Sequence, residues 1–316
     1  MRLKRLLAGA AVLAAATMAL TGGASAQSGE IKIGSSMAMT GGLGPNGKSA
    51  LLAWKIWEDD VNAKGGLLGR KVKLIYYDDQ STPSTVPGIY TKLLDVDKVD
   101  LVVGGYATNM VAPALPVVMQ KGKTFVSLFA LDVNHEFKYP KYFSVLPTGP
   151  QTKPAFTEGL FQVAQQQNPK PSTVALVVED AEFSNNACDG ARENAKKFNM
   201  KIVYDKKYPP STTDYTPIVR AVQAANPDVV IVCSYPLGSV GIVQAVRELN
   251  YKPKIIGGAM VGLQATVFKQ KLGAKLNGII NYETWVPAQA TPESDAFLKI
   301  YPVSYTHLTL PTICSV

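Results

Sequence analysis

The chain has 316 residues, of which 47% are hydrophobic and 18% are charged, and its formal net charge is +8. This composition excludes an intrinsically disordered chain, and the length is enough for one large domain or two lobes. The positive charges are scattered and form no basic helix interleaved with aromatic residues, so we expect no nucleic-acid partner.

The two ends of the chain read as segments outside the folded part. Residues 1–26 carry early positive charges, then an apolar run and the tripeptide Ala24-Ser25-Ala26, which is typical of a secretory signal peptide cleaved after Ala26. The apolar run is short for a membrane span, so we expect an exported chain without an anchor. Residues 303–316 contain no charged side chain and resemble a translated sequencing adapter. We therefore expect a foreign tail and a natural chain that continues beyond Pro302.

Strands alternate with helices along the first half of the remaining chain. We expect strands at 31–37, 71–77, 101–103, 124–128 and 141–145, with helices at 86–96 and 110–120. A glycine-rich loop at 41–47 precedes another helix, whose buried face is expected to carry Ala50, Trp54, Trp57 and Val61. This alternation predicts right-handed crossovers and a mostly parallel sheet covered on both faces.

A second series of the same kind follows a break at 146–150. We expect its strands at 173–178, 201–204, 229–232, 254–256 and 278–282, and its helices near 152–167, 184–198, 214–225, 239–249 and 262–271. The fold class is therefore α/β, with two doubly wound parallel-sheet lobes joined by a hinge. The expected boundaries are 27–148 for the first lobe, 149–279 for the second, and 280–302 for a return to the first.

The segment 99–113 has the features of a binding loop. Its strand ends at Gly104-Gly105, and Thr108 or Asn109 can cap a helix that has Pro113 near its start. Free amides and the Thr108 hydroxyl would then form a receptor for a carboxylate or phosphate oxygen. An ordinary turn between a strand and a helix is the alternative, and this stretch alone favours it.

Two strand ends of the second series carry similar groups. Phe183 and Ser184 follow one strand, and Ser234 and Tyr235 end another. Ligands of open α/β sheets bind beyond the carboxyl ends of the strands. Aromatic and hydroxyl groups at those ends, contributed by two lobes, predict a cleft for a small molecule with a polar head group.

Other motifs give little support to nucleotide binding or catalysis. Residues 42–49 match a phosphate-binding loop letter for letter, but an exported chain reaches a compartment without ATP, so we interpret them as a glycine loop beside the cleft. Outside the tail His135 is the single histidine, and we expect it at the surface. Adjacent acidic residues on a strand point to opposite faces, and no spacing suits a metal. We expect no enzyme activity, no cofactor and no metal.

Two cysteines remain once the tail is set aside. An exported chain can oxidise such a pair, but the sequence does not show whether Cys188 and Cys233 lie close enough. We favour two isolated buried thiols, with a disulfide as the alternative.

Several short motifs together resemble one family. They are Gly41-Gly42 with Gly47, residues 62–67, Tyr77-Asp78-Asp79, Gly104-Gly105, Pro113, and Tyr235-Pro236. In these motifs the chain resembles the branched-chain amino-acid (Leu/Ile/Val) type of substrate-binding protein for ABC transporters, which has the type I periplasmic-binding-protein fold. The resemblance implies a monomeric receptor in the periplasm that closes by hinge bending and docks on an ABC permease. A sensory domain of the same fold, uncoupled from transport, and an exported enzyme are the alternatives.

The resemblance also implies a set of ligand-binding residues. The ligand carboxylate would be held by the first lobe, and the second lobe would close over it: Tyr106, Ala107, Thr108, Asn109, Phe129, Ala130 and Leu131 in the first, Phe183 and Tyr235 in the second. Asn46 stands where an aromatic residue is often found. Gln151 and Ala259 stand where amino-acid-binding relatives carry acids for the ligand ammonium, although Asp132, Glu179 or Glu182 could supply that charge. An amino acid, an aromatic carboxylate, a keto acid or an amide therefore remains open as the ligand.

Overall fold

The computed structural model describes residues 29–146, 148–284 and 289–308. The expected signal peptide lies outside these residues, as does residue 309 onward of the adapter-like segment. The first lobe contains the strands β1 (Ile31–Met37), β2 (Val72–Asp78), β3 (Leu101–Val103), β4 (Phe125–Ser127) and β5 (Tyr142–Ser144). Its helices are α1 (Gly44–Ala63), α2 (Val86–Asp95), α3 (Thr108–Val111), α4 (Leu115–Gln120) and α5 (Asn134–Phe137).

The second lobe repeats this alternation. Its strands are β6 (Thr173–Glu179), β7 (Lys201–Tyr208), β8 (Val229–Ser234), β9 (Ile255–Met260) and β10 (Ile279–Asn281). Its helices are α6 (Thr152–Gln165), α7 (Glu182–Lys197), α8 (Thr216–Ala225), α9 (Pro236–Glu248) and α10 (Thr266–Leu272). A last helix, α11 (Pro292–Leu308), packs against α1 of the first lobe. None of the helices in the described ranges is both long and apolar enough to cross a membrane.

Both sheets have the same topology. All neighbouring strands are parallel, in the orders β2-β1-β3-β4-β5 and β7-β6-β8-β9-β10. In each lobe the order reverses between the first and third strands, which is where an open parallel sheet leaves a crevice at its carboxyl edge. The expected fold class of two doubly wound parallel lobes is confirmed.

The start of α1 differs from the prediction. The helix begins at Gly44, so half of the expected glycine loop is helical. A Cβ at Gly47 would collide with the Ala38 carbonyl oxygen, so this glycine serves close packing of the helix rather than a turn. The buried face includes Ala50, but Trp57 is 41% exposed, so its assignment to the core was wrong.

The helix after β3 is also built differently. It begins at Thr108, and Ala107 precedes it with a φ of 90° and no side-chain cap, so neither Thr108 nor Asn109 is the cap. A 3-10 segment at Ala112–Ala114 separates α3 from α4. Pro113 lies in this segment, and its missing N–H removes a hydrogen bond that a continuous helix would need.

The second lobe extends slightly further than expected. β10 pairs with β9, which places residues 279–281 in the second sheet, two residues beyond the expected boundary at 279. The chain crosses between the lobes after β5 and again after β10. The largest group of buried apolar side chains continues across both lobes, from Met37 and Met110 in the first to Phe183 and Ile231 in the second. The lobes are therefore closed on one another.

The two cysteines of the second lobe form a disulfide. Cys188 of α7 and Cys233 of β8 are both fully buried and are bonded, with their Cα atoms 6.0 Å apart. The expectation of two isolated thiols was wrong, because α7 packs directly on β8 and brings together residues that are 45 positions apart. The bond ties the helix that starts at the cleft to the central strand of the sheet.

We expect the disulfide to contribute about 4 kcal/mol to the free energy of unfolding, because it closes a loop between residues 45 positions apart in the unfolded chain. Urea denaturation of a Cys188→Ala, Cys233→Ala double variant should show this loss, and a Cys314→Ser variant is the matched control that should not. Thiol titration of the denatured 316-residue chain should find one free thiol, that of Cys314. Three free thiols would contradict the pairing.

Candidate functional site

A cavity lies between the two lobes, where the carboxyl edges of the sheets face each other. Its lining comes from the loops after β3 and β4 in one lobe and from the segments after β6, β8 and β9 in the other. The lining residues are Tyr106, Ala107, Thr108, Phe129, Leu131, Leu146, Phe156, Phe183, Tyr235, Val261, Gln264 and Thr284.

Thr108 supplies an oriented hydroxyl to this cavity. Its side chain is 1% exposed, and its Oγ1 accepts a hydrogen bond of 3.0 Å from the Leu131 amide. A threonine hydroxyl has one hydrogen to donate, and an acceptor position filled by Leu131 leaves that hydrogen for another partner. In the first turn of α3 the Met110 and Val111 amides both donate to the Ala107 carbonyl oxygen at 3.0 Å, which leaves the amides of Thr108 and Asn109 beside the hydroxyl. Thr108 is therefore placed to donate to an anionic group in the cavity.

Five aromatic rings lie in the remaining wall. Tyr106 and Phe129 lie 5.2 Å apart between ring centroids in the first lobe, where an isolated parallel bridge also joins their backbones. In the second lobe Phe183 lies 5.2 Å from Phe156 and 5.5 Å from Tyr235. Such rings form a rigid apolar surface suited to a flat or branched hydrocarbon body.

Tyr235 is held at both ends. Its hydroxyl donates to Asn109 Oδ1 of the opposite lobe at 2.7 Å, and its backbone N–H donates to Glu179 Oε2 at 2.8 Å. The Tyr208 hydroxyl also donates to that carboxylate oxygen, at 3.4 Å. Burial raises the pKa of Glu179 and raises the pKa of Tyr235 well above its ordinary value. Glu179 therefore fixes Tyr235 from behind, and the hydroxyl of Tyr235 bridges the lobes.

The lining is free of formal charge. Among the described residues that line the cavity, none has a charged side chain. Of the acids considered from sequence, Glu179 is engaged by Tyr235, and Asp132 accepts from the Thr152 hydroxyl at 2.7 Å and lies 3.6 Å from Lys153 Nζ. Glu182 lies outside the lining, and burial, with a smaller contribution from the Glu136 carboxylate, raises its pKa to about 7. The cavity thus offers hydroxyl and amide groups but no counter-ion.

Most of the residues expected at the site surround this cavity in the described part of the chain. Seven of them line it: Tyr106, Ala107, Thr108, Phe129, Leu131, Phe183 and Tyr235. The other three lie one layer behind. Asn46 donates to the Val261 carbonyl oxygen at 3.4 Å, Asn109 accepts from Tyr235, and Ala130 is 2% exposed next to the lining.

Two residues that the resemblance set in place of ligand-binding acids are not among the described lining residues: Gln151 is exposed, and Ala259 is fully buried within β9. Residues 42–49 run from the glycine loop into the first turns of α1, and Lys48 is exposed. His135 is exposed, as expected.

Several of the lining residues were not predicted from the sequence. Val261 and Gln264 directly follow β9, so the strand-end rule applied to that strand would have found them. Leu146 lies in the predicted hinge, and Thr284 lies at the second crossing. Phe156 lies inside α6, and its place at the cavity depends on how that helix packs, for which the sequence carries no signal.

Comparison with known proteins identifies relatives over nearly the whole chain. The family model described as periplasmic binding protein matches residues 30–313, and so runs into the adapter-like segment. The Leu/Ile/Val-binding protein homolog 8 of Brucella suis is 26% identical over 314 residues, which cover 96% of this chain and 77% of the relative.

Solved structures have the same fold. The branched-chain amino acid transporter substrate-binding protein LivJ of Streptococcus pneumoniae, in complex with isoleucine, is 20% identical and has a TM-score of 0.75, covering 87% of this chain and 77% of LivJ. A solute-binding protein of an ABC transporter from R. palustris, in complex with 4-hydroxybenzoate, is 19% identical with a TM-score of 0.76, covering 87% and 73%. At these identities the likeness shows the fold alone. From the family match over residues 30–313, this chain belongs to the periplasmic binding protein family.

Proposed function

We propose that this chain is the periplasmic solute receptor of an ABC importer, and that it binds a small monocarboxylate between its lobes and delivers it to a membrane permease. The observation that carries the proposal is the cavity between the lobes, which combines the Thr108 hydroxyl with an apolar aromatic wall. The lobes would separate at the two crossings to admit the ligand and close around it, as hinged receptors do. The alternation of an apolar surface with a few placed donors is typical of small-molecule sites.

The carboxylate of the ligand would lie at the start of α3. There it would accept hydrogen bonds from the Thr108 hydroxyl and from the Thr108 and Asn109 amides, because the Met110 and Val111 amides donate to the Ala107 carbonyl oxygen. Hydrogen bonds to an ionised acceptor are shorter and stronger than those between neutral groups, and closure removes competing water. Neutral donors can therefore hold the anion although the lining has no lysine or arginine.

The rest of the cavity favours a ligand without an ammonium group. The structural relatives include proteins in complex with isoleucine and with 4-hydroxybenzoate, so the fold accommodates both kinds of acid. An ammonium buried here would meet aromatic rings, Leu131 and Val261, with no acid in the described lining. Taking an unpaired charge out of water costs several kcal/mol. We infer that the ligand is an aromatic or branched aliphatic acid that lacks the amino group.

Matched acids test this inference. We expect 3-phenylpropanoate to bind more tightly than phenylalanine, and 4-methylpentanoate more tightly than leucine, by on the order of 100-fold, because each pair differs only in an ammonium that the cavity leaves unpaired. Isothermal titration calorimetry on the refolded, ligand-free protein measures both pairs. Tighter binding of the amino acids would contradict the ligand class, and binding of none of the four would contradict the proposed receptor function.

Replacing the oriented hydroxyl should weaken every carboxylate ligand. Thr108→Val keeps the shape but removes the donor and leaves the Leu131 amide without its acceptor, so we expect the Kd to rise about 10- to 100-fold. Thr108→Ser should recover most of the loss.

The control for this variant is Thr157→Val. Thr157 is equally buried at 1% exposed and likewise accepts one hydrogen bond, from Asn194 at 3.0 Å, but it is not among the lining residues. It should cost stability and leave the Kd unchanged. Equal Kd values for wild type and Thr108→Val would show that the anion binds elsewhere.

A further inference from the structure

An amide from the second lobe reaches the residue that orients Thr108. Asn186 lies on α7, and its Nδ2 donates to the Leu131 carbonyl oxygen of the first lobe at 3.0 Å. Leu131 in turn donates its N–H to Thr108 Oγ1 at 3.0 Å. One residue of the first lobe is therefore bonded at its carbonyl to the opposite lobe and at its amide to the binding hydroxyl.

The backbone turns sharply beside the Leu131 carbonyl that Asn186 contacts. The next residue, Asp132, has a φ of 61°, a left-handed conformation that turns the chain sharply after Leu131. The Asp132 carboxylate is also held from the second lobe, by the Thr152 hydroxyl at 2.7 Å. Thr152 lies at the start of α6, directly after the interlobe crossing, whereas Asn186 lies on α7, which faces α3 across the cleft.

We propose that Asn186 is a positioning residue for the ligand, which acts through Leu131 and Thr108 and couples closure of the lobes to recognition of the carboxylate. The inference rests on the proposed function. When the lobes close, the Asn186 amide engages Leu131 and holds it where its N–H fixes the Thr108 hydroxyl. When they open, this bond is lost and the loop from β4 is free to relax.

The interlobe hydrogen bond of Tyr235 does not permit the same conclusion. Tyr235 donates to Asn109 across the cleft, but Tyr235 also lines the cavity, so any variant of it changes ligand contact directly. Asn186 is not among the lining residues. Asn186 can therefore change ligand affinity only through closure of the lobes and the position of Leu131. A variant of Asn186 measures that effect without changing a direct ligand contact.

Asn186→Ala is the direct test, with 3-phenylpropanoate as the probe. Loss of one hydrogen bond that forms on closure should raise the Kd about five- to tenfold, mainly through faster dissociation, because the bond exists only in the closed form. Stopped-flow fluorescence and calorimetry measure the two quantities. Asn185→Ala is the matched control, since the Asn185 amide bonds within the second lobe, to Asp180 at 3.3 Å, and should change neither.

A double-mutant cycle separates positioning from general support of the fold. If Asn186 acts through Thr108, the combined Thr108→Val, Asn186→Ala variant should lose less affinity than the two single variants together. Additive losses, or a Kd for Asn186→Ala equal to that of Asn185→Ala, would overturn the proposal while leaving the receptor function intact. Asn186→Asp places a carboxylate against the Leu131 carbonyl oxygen and should weaken binding further. This variant replaces Asn186→Ala in the test if the alanine variant does not fold. A wild type that binds no 3-phenylpropanoate would overturn the ligand class, and this proposal with it.

Discussion

Parallel pairing of the strands is the constraint on which the site depends. Because the strands of each sheet run in one direction, every loop at the carboxyl edge opens on the same side of its lobe. Both sheets reverse their strand order next to the first strand, so each has a crevice at that edge. The chain crosses between the lobes so that the two edges face each other. Thr108 of the first lobe and Tyr235 of the second are 127 positions apart in the sequence. Both line the same cavity.

The absence of formal charge from the described lining changes how closure contributes to binding. In an open cleft the carboxylate of a ligand keeps its water, and a single hydroxyl with a few amides adds little. Closure excludes that water, and in the lower dielectric of the cavity the same donors interact more strongly with the anion. A basic side chain in the first lobe would hold the anion before closure as well. Under the proposed function, neutral donors alone would give strong binding only when both lobes surround the ligand.

The sequence predicts the elements better than it predicts their contacts. The strand Ile31–Met37 agrees with the prediction at both ends, because alternation along the chain is a local signal. Thr108 and Tyr235 could be found because strand ends can be read from the same signal. Trp57 could not be placed, because the buried face of α1 depends on which elements surround that helix. The disulfide likewise depends on a distance between α7 and β8 that no spacing in the sequence supplies.

Hydrogen bonds within the second lobe hold Tyr235 in position. Glu179 is 4% exposed, and its carboxylate holds the Tyr235 backbone while the Tyr208 hydroxyl donates to the same oxygen. A Cβ at Gly238 would collide with Tyr208, so the first turn of α9 can approach this cluster only with glycine there. These contacts lie within one lobe and do not depend on closure. The bond from Tyr235 to Asn109 then costs little conformational entropy when it forms, because the ring is positioned before the lobes meet. The loop that carries Leu131 in the first lobe differs in this respect. One of its hydrogen bonds comes from Asn186 across the cleft, and this bond is present when the lobes are closed.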